Sequence, residues 1–297
     1  MSVSVPADGG APRSGSPVVQ VHVPGRSFRS ELRAVKVVWR RELIRFRSDR
    51  LRIVTQLVQP LLFLFVLGSG LQQLSAASTH GLDLKTFIYP GILCISVMFT
   101  AMFSAASIVW DREFGFLREM MVAPVRRSSI VIGKCCGGAT VAASQGLILL
   151  ALAWAVDVPY SVTLVLGVFA LQLLLAFSIT AFGVMVAARI KQIQSFMGVM
   201  QLVMMPMFFI SGALFPVTDL PGWLAVLNRL DPLTYAVSPM RSLVFAHLDL
   251  TQSAEAALNP GITWFGWTVP VALEIFMVFA LGMVMLGIAI WEFSAGD

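Results

Sequence analysis

The sequence predicts an all-α integral membrane protein with six transmembrane helices. Three observations carry this. The chain is 57% hydrophobic and only 12% charged, about half the charge of an ordinary soluble domain. Its mean hydropathy is +0.82. Its apolar residues are gathered into six runs, each long enough at 1.5 Å per residue to cross a hydrocarbon core of about 30 Å. No alternation of period two supports a membrane β-barrel, and the runs are too long for barrel strands.

The runs cover residues 53–74, 87–109, 132–156, 162–187, 196–215 and 269–291. Pro60 and Pro206 are the candidates for kinks. The basic residues give the orientation. Eleven of them precede the first run, five more (Arg112, Arg118, Arg126, Arg127, Lys134) follow the second, and Arg189 and Lys191 follow the fourth. Only Lys85, Arg229 and Arg241 remain for the other side. The positive-inside rule places the larger set in the cytoplasm, so both termini are expected there, in a multi-pass protein. No apolar core precedes residue 50, so the start of the chain does not read as a signal peptide.

Residues 1–27, rich in Ser, Gly, Pro and Val, read as a disordered cytoplasmic tail. An amphipathic helix follows. Phe28, Leu32, Val35, Trp39, Leu43 and Phe46 recur at steps of three and four, with arginines on the other faces. That pattern suits a helix lying in the cytoplasmic interface. Ser48 and Asp49 mark the break before the first run. Beyond the fifth run, Asp219 with Pro221 and then Asp231 with Pro232 signal two helix starts. Two short helices meeting at the second of these corners form an extracellular hairpin before the last span.

Several chemistries are excluded. Cys94, Cys135 and Cys136 offer no outer pair for a disulfide, and no Cys or His spacing fits zinc. Gly133-Lys134 lacks the upstream glycine and the following Ser or Thr of a phosphate loop, so the chain has no nucleotide site of its own. The basic charge is used in topology, with no nucleic-acid motif beside it. Glu274 is the one clear charge inside a run, near its outer end. Gln145, Gln172 and Gln201 either join helices or line a path.

The loop DREFGFLREMMVAPVRR after the second run alternates charge with bulky apolar side chains. Phe114, Leu117 and Met121 share one helical face, and Pro124 stops the helix. An exposed amphipathic helix needs headgroups or a protein surface to cover it. This loop resembles the cytoplasmic motif of the type-2 ABC exporter permeases, through Arg112-Glu113, Phe116-Leu117, Met120-Met121, Ala123-Pro124 and Arg126-Arg127. The stretch 208–241 is similar to that family's second signature, through Ser211-Gly212, Phe215-Pro216, Leu220-Pro221, Asp231-Pro232-Leu233-Thr234 and Arg241. The family often has Asn where this chain has Asp231. Within it, the chain most resembles the daunorubicin/doxorubicin-resistance permeases of actinobacteria.

The resemblance implies a permease domain over 28–297 in a bacterial plasma membrane. It implies a separate cytoplasmic ATPase that binds ATP and Mg, no cofactor on this chain, and a second permease copy or a related one. Arg112, Glu113, Phe114, Phe116, Leu117, Met120, Met121 and Pro124 would form the ATPase-coupling helix. Trp39, Arg40 and Arg41 would clamp the same surface. The first and fifth spans would line the seam between copies, with Gln201, Met204, Met205, Phe208, Phe209 and Glu274 as path or seam residues. A path so poor in charge suits a hydrophobic or amphiphilic drug or lipid. Two other readings stand beside this one: a polysaccharide or teichoic-acid exporter, and a regulatory membrane subunit that moves nothing.

Overall fold

The computed structural model describes residues 28–70, 83–116, 120, 125–156, 158–215, 221–248, 258–264 and 266–295. The tail 1–27 and residues 71–82 therefore lie outside the described residues. The architecture is a helical bundle. Helix α1 (Phe28–Ser48) is followed by α2 (Arg50–Gly70), α3 (Leu84–Glu113), α4 (Arg127–Leu150), α5 (Val162–Arg189) and α6 (Ile193–Ile210). Two short helices, α7 (Gly222–Leu230) and α8 (Thr234–Phe245), precede the last, α9 (Val271–Ala295).

Five of these helices, α2, α3, α5, α6 and α9, are long and apolar enough to cross a membrane. The third run corresponds to α4, which spans about 36 Å over its 24 residues but carries Lys134, Gln145 and several glycines. Those residues are tolerable because α4 packs among α1, α3, α5 and α9 rather than facing outward. Helix α3 is the centre of the bundle, with 89% of its apolar window buried, against 17% for α2 and 22% for α6. Those two helices stand at the periphery with one face each uncovered.

Local chemistry explains the ends of the elements. Asp49 breaks α1 from α2 as expected, and its carboxylate accepts from the Arg52 amide at 3.1 Å. After Pro60, α2 passes through a π-helical turn at Phe63–Leu67, as a proline-disrupted ladder allows. Asp231 accepts from the Leu233 amide at 2.9 Å and opens α8 as the Asp-Pro signal predicts. Helix α7 starts one residue beyond Pro221, and Asp219 lies outside the described residues.

One element was not expected. A two-stranded antiparallel hairpin, β1 (Thr263–Trp264) with β2 (Trp267–Thr268), lies before α9. Gly266, at φ +84°, supplies the left-handed turn residue. The all-α expectation holds for the bundle and fails over these four residues.

Candidate functional site

Helices α3, α5 and α9 end, and α4 and α6 begin, at one end of the bundle, where the basic residues collect. Their roles there are specific. The Arg112 guanidinium donates to the carbonyls of Ala187, Ala188 and Ile190 at the end of α5, at 2.9–3.0 Å. Arg127 donates to the Phe293 carbonyl near the end of α9 at 3.1 Å. Both satisfy terminal carbonyls with a cation, as the helix dipole favours. Conversely, Glu113 accepts from the Ile193 amide at 3.1 Å. Glu31 accepts from the Arg126 amide at 3.1 Å and from Ser129 at 2.6 Å. These carboxylates sit at the starts of α6 and α4, where the dipole is positive.

Beneath this layer lies a buried ionic cluster. The Lys134 ammonium on α4 donates to Glu42 of α1 at 2.6 Å, to Asp111 of α3 at 2.5 Å and to Ser107 at 3.0 Å. All three charged side chains are 4% exposed or less. Arg41 closes the network on the other Asp111 oxygen at 2.5 Å, with Arg45 at 3.8 Å. Three helices are thus tied at one point. Helix α1 approaches α4 closely enough that a Cβ on Gly133 would come within 2.8 Å of Val38, and one on Gly137 within 2.8 Å of Glu42. Trp39 donates to Thr140 at 3.0 Å along the same contact. So α1 does not simply float with one face in lipid. It is docked on a glycine groove by a charge cluster, while Phe28, Leu32, Val37 and Ile44 stay exposed.

In the sequence Lys134 counts among the basic topology residues, and Glu42 carries no motif. Two signals were available. Glu42 shares a helical face with Val35 and Val38, and Gly133 and Gly137 have the four-residue spacing of close helix packing.

The expected coupling residues divide. Arg112 and Glu113 belong to the last turn of α3, not to a separate loop helix. The break comes at Gly115, whose φ of +83° is left-handed. Phe114 and Phe116 flank it, 72% and 53% exposed. Met120 is reached by Arg41, whose guanidinium lies 3.1 Å from its sulfur. Leu117, Met121 and Pro124 lie outside the described residues. Of the three clamp candidates, Trp39 and Arg41 face α4 and α3, while Arg40 is exposed.

A second feature is an apolar groove of about 240 Å³ between α2, α3 and α6. It brings together Gln201, Met204, Met205, Phe208 and Phe209, and adds Phe63 and Gln59 from α2. Phe208 is central, 5.5 Å from the Phe63 ring and 4.7 Å edge-on from Phe209. Glu274 is not part of this groove. It is 1% exposed in the first turn of α9 and accepts from Ser238 of α8 at 3.2 Å.

At the opposite end, α7 and α8 fold back over the bundle. Arg241 donates to the Gly212 carbonyl at 2.7 Å, past the end of α6. Asn228 donates to the Ile210 carbonyl at 2.6 Å and to Thr234 at 3.1 Å. Burial at this corner pushes the Asp231 carboxyl up to about 7.

The two stretches set apart by this geometry, the end of α3 and the α6–α8 corner, both lie inside the region on which sequence comparison decides. The profile of the ABC-2 type transporter family matches residues 33–245. The chain belongs to that family. Members of this family are the transmembrane component of an ABC transporter, and ATP hydrolysis belongs to a separate subunit. The chain is therefore a multi-pass membrane permease that pairs with an ABC ATPase. It is 25% identical to the probable doxorubicin resistance ABC transporter permease protein DrrC of Mycobacterium tuberculosis, over 82% of this chain and 85% of DrrC. It is 29% identical to Nodulation protein J of Rhizobium leguminosarum bv. trifolii, over 71% of this chain and 80% of that protein. It is 31% identical to the probable multidrug ABC transporter permease YbhR of Escherichia coli K12, over 52% of this chain but only 42% of YbhR.

Proposed function

We propose that this ABC-2 permease exports a hydrophobic or amphiphilic drug or lipid. Helix α4 is the sixth span, shielded by its neighbours. The basic end faces the cytoplasm, and both termini lie on that side. ATP and Mg are held by the partner ATPase, which docks on the exposed segment around Phe114 and Phe116. Helix α1, with Trp39, Arg40 and Arg41, borders the same surface. The carrying observation is the groove of methionine and phenylalanine side chains on α2 and α6, the two least covered of the five candidate spans. Its lining contains no charged residue. At the basic end, Arg112, Arg127 and Glu113 are instead committed to helix ends, and Glu42, Asp111 and Lys134 to one another.

In this reading a second copy, or a related permease, meets α2 and α6, and the facing grooves enclose the path. Flexible apolar walls repack around varied guests and discriminate weakly among them. The names of DrrC and YbhR favour a drug as cargo. The name of Nodulation protein J points elsewhere, so the commitment is to chemistry rather than to one compound.

Co-reconstitution with the partner ATPase tests the reading. Hydrolysis stimulated by a hydrophobic cation or lipid, with ATP-dependent accumulation of that compound in inverted vesicles, is expected. ATPase docking without any cargo movement under verified turnover would refute export. Movement of a charged oligosaccharide in preference to apolar compounds would refute the cargo class.

A further inference from the structure

The end opposite the basic cluster contains a second pocket, of about 250 Å³, that neither the coupling surface nor the α2–α6 groove uses. Ser211, Asn228, Arg229, Ser238, Arg241 and Asn259 are among its walls. It is closed on one side by the α7–α8 corner and on the other by the segment leading into β1.

Its character is set by Arg241, only 3% exposed. No carboxylate lies within ion-pairing distance of that guanidinium among the described residues. Its Nη2 is used by the Gly212 carbonyl, and its plane lies over the Phe87 ring with 4.5 Å between its carbon and the ring centre. Its Nε is buried with no hydrogen-bond partner among the described residues. A buried cation without an anionic partner is costly. Arg229 adds a second positive charge to the same walls.

Two carboxylates lie nearby, and both have donors of their own. Asp231 takes the Leu233 amide and the Thr234 hydroxyl. Glu274 takes the Ser238 hydroxyl and lies beside the Ile262 backbone. Neither is among the lining residues, whereas both arginines are. The balance inside the pocket is therefore positive.

Helix α7 says what is attached to the anion. It sends Asn228 and Arg229 to the polar pocket. Leu227 and Leu230 border a mainly apolar cavity of about 360 Å³ between α5, α6 and α9, with Asp231 and Ser178 the polar residues of its wall. Trp223 and Val226 are also largely exposed. A polar, cationic slot and an apolar one therefore meet across a single short helix.

We propose that this end of the chain binds an anionic amphiphile, its phosphate in the pocket of Arg241 and Arg229 and its hydrocarbon along the apolar face of α7. Phosphate oxygens accept from guanidinium N–H groups, and the phosphate supplies the counter-charge the fold lacks. The inference does not depend on export, because such a molecule is held here whether or not it is moved.

Binding to the full-length chain in non-ionic detergent tests this, read as the shift in unfolding midpoint on titration. The probes are dihexanoyl phosphatidylglycerol, dihexanoylglycerol without the phosphate, inorganic phosphate, and dodecyltrimethylammonium. A saturable rise with the phosphatidylglycerol alone is expected, and Arg229→Gln weakens it at least tenfold. Arg47→Gln, at the opposite end, leaves it unchanged. Because Arg241 also holds the α6 terminus, Arg229→Gln is the deciding variant. Binding as tight in Arg229→Gln as in the native chain would overturn the site. So would equal response to the uncharged diacylglycerol or preference for the cationic detergent. Equal affinity for inorganic phosphate would overturn the amphiphile and leave a simple anion pocket.

Discussion

Replacing Lys134 with methionine removes the ammonium that holds Glu42 and Asp111 together while keeping the bulk of the side chain. Two buried carboxylates then face each other across the space the ammonium occupied. Arg41 can still reach Asp111 at 2.5 Å, but no other cation is within 4 Å of Glu42 among the described residues. Breaking a buried ion pair by deleting one partner costs about 3–5 kcal/mol. A loss of that size lowers an unfolding midpoint by on the order of 10 °C. The damage falls on the docking of α1, because Glu42 is that helix's contribution to the cluster. The assay is a thermal midpoint in detergent together with the maleimide labelling rate of Cys136, which borders the α1–α4 groove. Lys134→Met is expected to lower the first and raise the second. The triple variant Glu42→Gln, Asp111→Asn, Lys134→Met is expected to recover most of the loss, since no buried charge remains. The reasoning would be refuted by an unchanged midpoint in the single variant, or by a triple variant as unstable as the single.

The remaining predictions concern separate parts of the molecule. Gly137→Ala places a methyl 2.8 Å from the Glu42 Cβ; α1 must move out, and maleimide labelling of Cys136, beside the same groove, is expected to run faster than in the native background. Asp231→Asn removes a carboxyl whose folded value is raised from 3.8 to about 7. The folded state holds that proton where the unfolded chain has lost it, so native stability falls as pH rises between those values. The Asn variant is expected to lack that slope and to be the more stable of the two above pH 7, as unfolding across a pH series would reveal. Phe208→Ala opens the centre of the α2–α6 groove. It is expected to weaken cargo-stimulated ATPase activity several-fold while leaving ATPase assembly intact, and equal loss of both would remove Phe208 from the path.

How much of this was legible depends on whether a feature belongs to one helix or to several. Length and hydropathy are properties of a single segment, so the apolar runs, the break at Asp49 and the Asp231-Pro232 corner were all readable in order. Helix ends were less so. Hydropathy closes the second run at residue 109, yet α3 continues to Glu113 because a helix does not stop where lipid does. That continuation puts Arg112 and Glu113 on the last turn of α3, against the end of α5 and the start of α6. The Lys134 cluster left only the faint marks of Glu42 on the face of Val35 and Val38 and of the Gly133–Gly137 spacing, for another reason. A lysine near the mouth of a span looks the same in sequence whether water or two carboxylates surround it. Only the packing of α1 into the Gly133–Gly137 groove decides between them. Gln201 to Phe209 stand together in the sequence because one helix supplies them, whereas Phe63, which packs on Phe208, comes from α2. Glu274 stands out as the one clear charge inside a run, and in the structure its carboxylate accepts from Ser238.

If the basic end of this bundle receives an ATPase on the exposed segment that follows α3, a cysteine at Phe116 must reach it. Cross-linking from that cysteine, in otherwise cysteine-free permease assembled with its ATPase in intact cells, measures this. A strong cross-link to the ATPase, protected from impermeant reagents added outside, is the predicted result. Labelling of that cysteine from outside the cell, or a fully assembled complex in which it contacts no ATPase, would contradict the account.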